Sequence, residues 1–315
     1  MLIIKIFSVF LIIILGVIIR KSKIISSSTI KEMSIVITKV FYPCLILSSF
    51  IKNFNSEELI KNYILPVGTI LIMFTGYVYG IIFKKFIDFE SSKEKKTFHF
   101  QCTINNYSFL PLPIILLLFG EAGVPKLILS TFGSEISVWT IGILSLTGNR
   151  FEKKVLRNLL NIPMISIIFS IIFIFLKDAV NIDNQIIVDI GKSILNVISL
   201  VGNATIPIAL FIAGAKIGEI ELKNIFKFKS ILLSFLRLVI IPLNSIFFFY
   251  KLSFPVDIRN ILIVVAIMPC AIASIILSEA FDSDSEFAAE TVFLTHLFSL
   301  ITIPLFLSIF IKNGG

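Results

Sequence analysis

The sequence predicts an all-α polytopic membrane protein with ten transmembrane helices in two five-helix halves. Three observations carry this. Apolar residues fill 57% of the 315 positions and charged residues only 15%, where a soluble domain carries about 25% charge. Mean hydropathy is +1.00, and the apolar residues fall in runs of about 20, the length that crosses a bilayer. The charges gather in short clusters between those runs. An ordinary soluble enzyme and a disordered chain are both excluded.

The first run, 2–19, is long enough for a span and lacks a small-residue cleavage site, so it reads as a helix and not as a signal peptide. Further runs cover 29–51, 62–83, 98–119, 125–148, 159–177, 187–215, 228–250, 257–279 and 286–311. The intervening loops are short, which leaves no room for a soluble domain. Lys and Arg are about twice as frequent in the loops after the odd-numbered runs as on the other side. The positive-inside rule places those loops in the cytoplasm and both termini outside, in a multi-pass cytoplasmic (inner) membrane protein. The loop after the ninth run is acidic, with Glu279, Asp282, Asp284 and Glu286. Acidic residues count little in this rule, so the assignment stands.

The net charge of +8 belongs to those basic loops, so the bilayer is expected as a partner and nucleic acid is not. Cys44, Cys102 and Cys270 lie in or beside apolar runs and suggest no disulfide framework. The two histidines, His99 and His296, form no metal-ligand spacing, and no cofactor or metal is expected. A membrane-embedded enzyme needs a nucleophile with its base, or a metal triad. The spans carry neither pattern, so no enzymatic activity is expected.

Ten spans divide at a basic linker, 150–158, into repeats over 1–149 and 159–315. Five is odd, so the second half enters the membrane upside down, an arrangement common in secondary transporters. Corresponding spans share prolines: Pro43 with Pro207, Pro66 with Pro242, and Pro111 and Pro113 with Pro269. The fourth span reads Cys102-Thr-Ile-Asn105-Asn106-Tyr-Ser108-Phe-Leu-Pro111-Leu-Pro113. Proline removes a backbone hydrogen bond and clashes with the preceding turn. The ninth span reads Met268-Pro269-Cys270-Ala-Ile-Ala-Ser274, with Cys270, Ser274 and Ser278 on one helix face. Matched interrupted helices point to a substrate site whose half-helix N-termini favour an anion. Kinked helices without a site are the plainer alternative.

At these residues the chain resembles the auxin efflux carrier family, which includes plant PIN-type carriers and bacterial carboxylate permeases. Asn106-Tyr-Ser-Phe-Leu-Pro-Leu-Pro113 is similar to the family's Asn-x-Gly-Phe-x-Gly-x-Pro segment. Gly202-Asn203-Ala-Thr-Ile-Pro207 through Gly214 and Gly218 resembles its seventh span. Ala266-Ile-Met-Pro269 and Ser299-Leu-Ile-Thr-Ile-Pro304 resemble its ninth and tenth. The resemblance implies two inverted repeats in which helices 4 and 9 are broken and cross. It also implies a scaffold of helices 1, 2, 6 and 7 and a mobile domain that works as an elevator. Asn106, Pro113 and Pro269 then fall at the crossover. Ser108 and Pro111 stand where the family usually has glycine.

Other polar residues within spans are site candidates. Lys39 either faces the pathway or snorkels to the interface. Lys192, Asn196, Ser199 and Asn203 form one helical stripe, either a wet wall, to which Asn203 is assigned, or helix–helix glue. Glu135 and His296 occupy roughly corresponding places and suit a proton-coupling site. The alternative is that they pair structurally, with each other or with Arg237. Glu290 is expected to face water. The candidate substrate site is therefore Asn105, Asn106, Ser108, Pro111, Pro113, Pro269, Cys270, Ser274, Lys39 and Asn203. The function expected is secondary transport of a small organic anion, a carboxylate, by a monomer or a homodimer. A sodium- or proton-coupled carrier of the bile-acid-symporter type is the alternative, although the crossover segments carry no Asp or Glu.

Overall fold

A computed structural model describes residues 2–148, 153–180, 185–220 and 226–311. Their regular elements are all helices, with no strand among them. In chain order the helices are α1 (Leu2–Lys21), α2 (Ser27–Asn53) and α3 (Ser56–Phe83), α4 (Ser92–Thr103) and α5 (Pro111–Phe119). They continue as α6 (Gly123–Thr147), α7 (Ile162–Ala179), α8 (Gln185–Asn203) and α9 (Thr205–Glu219). The last four are α10 (Phe228–Lys251), α11 (Val256–Ala266), α12 (Ala273–Ala280) and α13 (Ser285–Phe310).

Seven of the described helices are long and apolar enough to cross a membrane: α2, α3, α6, α7, Asp189–Glu219, α10 and α13. The expected fourth and ninth spans are each divided into two short helices, of 12 and 9 residues and of 11 and 8 residues. None of these is long enough to cross alone. The expected seventh span bends at Ala204 and continues to Glu219. Pro207 follows three residues on, and its ring clashes with the carbonyl four residues back.

Two further prolines leave the same mark. The turns just before Pro43 and Pro242, Ile37–Phe41 and Leu236–Ile240, are wound as π-helix. Tyr42 donates to the Ile37 carbonyl and Ile241 to the Leu236 carbonyl, five residues back, so the wider turn keeps the ladder bonded. Residues 138–142 form a third π-turn, with no proline beside it.

The core is centred on α11. Residues 261–270 are all buried, and Ile261 to Met268 join one cluster with Leu110 to Ile115 and Phe306. An α-helix apolar on every side belongs in the middle of a bundle. At the bundle's flank α1 and α9 press backbone to backbone. A Cβ on Gly214 would overlap the Ile13 carbonyl, and one on Gly16 the Phe211 carbonyl. Small residues permit this approach between membrane helices.

Candidate functional site

The gap between α4 and α5 meets the gap between α11 and α12. Ile104 at the end of α4 is extended, and Asn105 forms an isolated antiparallel bridge with Cys270. The Asn106 N–H donates to the Pro269 carbonyl at 2.8 Å. The Asn105 amide Nδ2 donates to the Val265 carbonyl at 2.5 Å. Pro111 and Pro113 lack N–H groups and suit the first turn of a helix, so α5 starts afresh at Pro111.

Breaking a helix within an apolar core exposes carbonyls that water cannot reach. Arg237 meets two of them. It is fully buried and donates from one guanidinium nitrogen to the Cys102 carbonyl at 3.1 Å and from the other to the Ala266 carbonyl at 2.9 Å. These carbonyls lie at the C-terminal ends of α4 and α11, the negative ends of both helix dipoles. Gln101 ties α4 onward: its Nε2 donates to Ser274 Oγ at 2.9 Å and to the Ala288 carbonyl at 3.1 Å. The Cys270 N–H donates to Thr295 Oγ1 at 3.2 Å.

A cavity of about 200 Å³ opens beside these breaks. Asn105, Asn106, Tyr107 and Ser108 line it from one break and Ala271 to Ala273 from the other. Thr38 and Tyr42 of α2, Glu135 of α6 and Lys216 of α9 add polar groups to a wall that is otherwise largely apolar, with Ile37, Phe109, Pro163, Ala209 and Ile212. Asn105 Oδ1 is buried and has no hydrogen-bond partner. Glu135 is held by three donors: Tyr107 OH at 2.9 Å, Trp139 Nε1 at 3.1 Å and Asn161 Nδ2 at 2.9 Å. Lys216 is half-buried and has no carboxylate partner among the described residues, because Glu219 is paired with Arg20 at 3.2 Å. The Asn105 Nδ2, Thr38 Oγ1 and Tyr107 OH donors are already spent on the Val265 carbonyl, the Ser34 carbonyl and Glu135, so the cavity offers the Asn106 amide, the Ser108 hydroxyl, one uncommitted ammonium, the start of α12 and one carboxylate already satisfied. That set can hold a small anion by hydrogen bonds and charge. Among the described residues no group of three or more His, Cys, Asp or Glu could hold a metal ion.

The expected site residues divide into three groups. Asn105, Asn106, Ser108 and Glu135 line the cavity. Pro111, Pro113, Pro269, Cys270 and Ser274 are buried behind it and shape or tie the breaks. Lys39 and Asn203 are exposed and do not line it. The rest of the α8 stripe does not line it either: Lys192 and Asn196 are exposed and Ser199 is half-buried. His296 is buried one layer back. Its Nδ1 donates to the Val292 carbonyl at 2.8 Å, and its Nε2 lies 3.5 Å from the Asn106 Nδ2. Glu135 and His296 therefore pair neither with each other nor with Arg237. Glu290, expected to face water, is 3% exposed and bonded to Lys227 at 3.4 Å. The turn of α13 that carries it packs against the start of α10, which shields the carboxylate.

Sequence reasoning missed Lys216, which lies one residue past the expected end of its span and reads as a loop cation. It also missed Tyr42, Gln101 and the two-carbonyl contact of Arg237. A buried arginine without an acidic partner in its own span was the signal available for Arg237.

A family model described as membrane transport protein matches residues 1–155 and 147–307. An uncharacterized transporter of Methanocaldococcus jannaschii is 25% identical over 285 residues, covering 87% of this chain and 88% of its own length. Another, from Methanothermobacter thermautotrophicus, is 23% identical over 302 residues, 95% of each chain. The chain is thus a multi-pass membrane transporter by descent as well as by composition. On this match it belongs to the membrane transport protein family, the auxin efflux carrier family whose motifs its two broken helices resemble.

Proposed function

We propose that this transporter moves a small organic anion, a carboxylate, across the cytoplasmic membrane by alternating access without altering it chemically. The observation that carries this reading is the cavity where Asn105, Asn106 and Ser108 stand opposite an unpaired Lys216. The Asn106 amide donor, the Ser108 hydroxyl and an ammonium suit a carboxylate. The half-helix start at Ala273 adds a positive dipole end.

The architecture proposed is ten spans in two inverted repeats, 1–149 and 159–315, with both termini outside and the paired breaks as the crossing point. Elevator movement of the broken-helix domain against α1, α2, α7, α8 and α9 fits the cavity's position. It lies between the breaks on one side and α2 and α9 on the other. Proton coupling is a second reading, favoured by one observation: Glu135 faces the cavity. Sodium coupling of the bile-acid-symporter type lacks such support, because Glu135 is the only carboxylate among the described lining residues and three donors already hold it.

Proteoliposomes test the proposal. Malate, malonate, succinate and indole-3-acetate, radiolabelled, are followed with and without a pH gradient. Saturable flux of one of them, lost in Asn106→Ala, is expected. No flux of any anion by folded, inserted protein would sink the carboxylate reading.

A further inference from the structure

A second cavity, about 490 Å³, lies at the end of the bundle that the basic loops assign to the cytoplasm. It gathers parts of three helices: Lys84 just beyond α3, Ser92, Lys95 and Lys96 from the first turns of α4, and Ser145, Thr147 and Gly148 from the end of α6. It is separate from the cavity at the helix breaks, and no residue is shared between them.

Among the described residues the charges around it do not balance. Glu90 and Glu94 are bonded to Lys229 at 3.0 and 2.7 Å. Asp282 is bonded to Lys93, and its charge also acts on Lys96 without a direct contact. Lys84, Lys95 and Lys96 have no carboxylate partner among the described residues, although Lys84 and Lys96 are half-buried. Lys84 instead donates to His99 Nδ1 at 3.0 Å. Burial, and then the charges of Lys95 and Lys85, push the Lys84 ammonium below the usual lysine range. Crowded cations in a partly desolvated cavity cost free energy unless an anion joins them. Ser92 lines the same space, as does Thr147, whose hydroxyl donates to the Ile143 carbonyl at 2.9 Å. The backbone turns away at Gly148 with φ of +68°, where a Cβ would come within 3.2 Å of the Lys96 side chain.

We propose that this basic cavity binds a phosphoryl anion, either the headgroup of an anionic lipid or a soluble phosphate. Three lysine side chains beside Ser92 match the charge of a phosphate monoester. Such a ligand bridges α3, α4 and α6. Ser145, at the cavity wall, is also 3.4 Å from Thr103, the last residue of α4 before the break. The proposal does not depend on the carboxylate reading of the other cavity.

The test is thermal unfolding of the full chain in neutral detergent, with inorganic pyrophosphate in one arm and dioctanoyl phosphatidic acid in the other. Sulfate at matched ionic strength and dioctanoyl phosphatidylcholine are the controls. Wild type is expected to unfold several degrees higher with at least one of the two phosphoryl probes and not with the controls. Lys84→Gln/Lys96→Gln is expected to lose that shift. The exposed Lys95→Gln change, which leaves the two half-buried lysines in place, is expected to reduce it. A rise with pyrophosphate assigns the site to a soluble phosphate, and a rise with phosphatidic acid alone assigns it to a lipid headgroup. No rise with either probe, or an equal rise in wild type and in the variants, overturns the proposal.

Discussion

Asn106 donates its backbone N–H to the carbonyl of Pro269 at 2.8 Å and so joins the middle of one broken helix to the middle of the other. The tie uses only main chain, and the side-chain amide is left to face the cavity. Asn106→Ala should therefore keep the fold within about 1 kcal/mol of wild type. Solute flux should fall about tenfold or more, equivalent to about 1.4 kcal/mol. Thermal unfolding and proteoliposome flux, measured on the same preparation, separate the two effects. Unchanged flux would remove Asn106 from the site.

Arg237 is the counterpart case, where the side chain itself holds the structure. Arg237→Ala strands the Cys102 and Ala266 carbonyls in the core. Bonds to a charged donor contribute about 1.5–3 kcal/mol each, so a loss of about 3–5 kcal/mol is expected. Arg237→Lys should recover about half of it, because one ammonium cannot reproduce the planar fork. Unfolding midpoints in detergent measure both. A wild-type midpoint for Arg237→Ala would show that the two carbonyls find other donors.

The α1–α9 contact predicts opposite outcomes for two glycines. Gly214→Val drives methyls into the Ile13 backbone, and a sharp fall in the yield of folded, monodisperse protein is expected. A Cβ on Gly191 in α8 meets nothing within 4 Å. There Ala should be neutral or stabilising by up to about 1 kcal/mol, since it lowers the entropy of the unfolded chain. Size-exclusion profiles of the two variants read the contrast.

Acid should loosen the α10 end of the bundle. The hydrogen bond from Lys229 holds the Glu90 carboxyl below its ordinary value of 4.5. A depressed carboxyl contributes stability above its ordinary value and loses it as pH falls through the folded one. Thermal midpoints should accordingly drop as pH falls below the ordinary carboxyl value of 4.5, and Glu90→Gln should drop less. Added salt should shrink the difference, because Glu90 is solvent-exposed. An identical slope in the variant would assign the acid response to other carboxylates.

Glu135 separates the coupling readings. Glu135→Gln keeps the acceptor oxygen for Tyr107 or Trp139 and abolishes the charge. If protons couple through it, the variant should exchange solute across liposomes without a gradient and lose the response to an imposed one. A retained gradient response would move coupling elsewhere, with His296 the next residue to change.

The long apolar runs made most spans readable, because the bilayer demands length and apolarity and little else. The breaks were also readable. Pro111, Pro113 and Pro269 act on their own chain segment, and local chemistry shows in local sequence. Lys216 and Arg237 were not readable for the same reason inverted. What they do is set by groups distant in sequence, such as Asn105 across a cavity or two carbonyls on α4 and α11. Periodicity carries no record of such partners. Lys39 shows the converse error. It falls within an apolar run beside a proline, yet it lies on the outer side of its π-turn, one position from Thr38, which does line the cavity. Asn203 fails likewise, since the bend at Ala204 leaves it exposed.

The double proline at the start of α5 has one more effect. Of the first four residues of α5, only Leu112 and Ile114 keep an N–H, whereas all four at the start of α12 do. Two of those four turn back onto Ala271 and Ile272, which leaves Ala273, itself at the cavity wall, at the outermost position. The two half-helix ends are therefore unequal poles. Under the proposed carboxylate reading, a monocarboxylate would acquire a heading in the cavity: head toward Ala273, tail toward the Tyr42 and Phe109 rings, 5.5 Å apart.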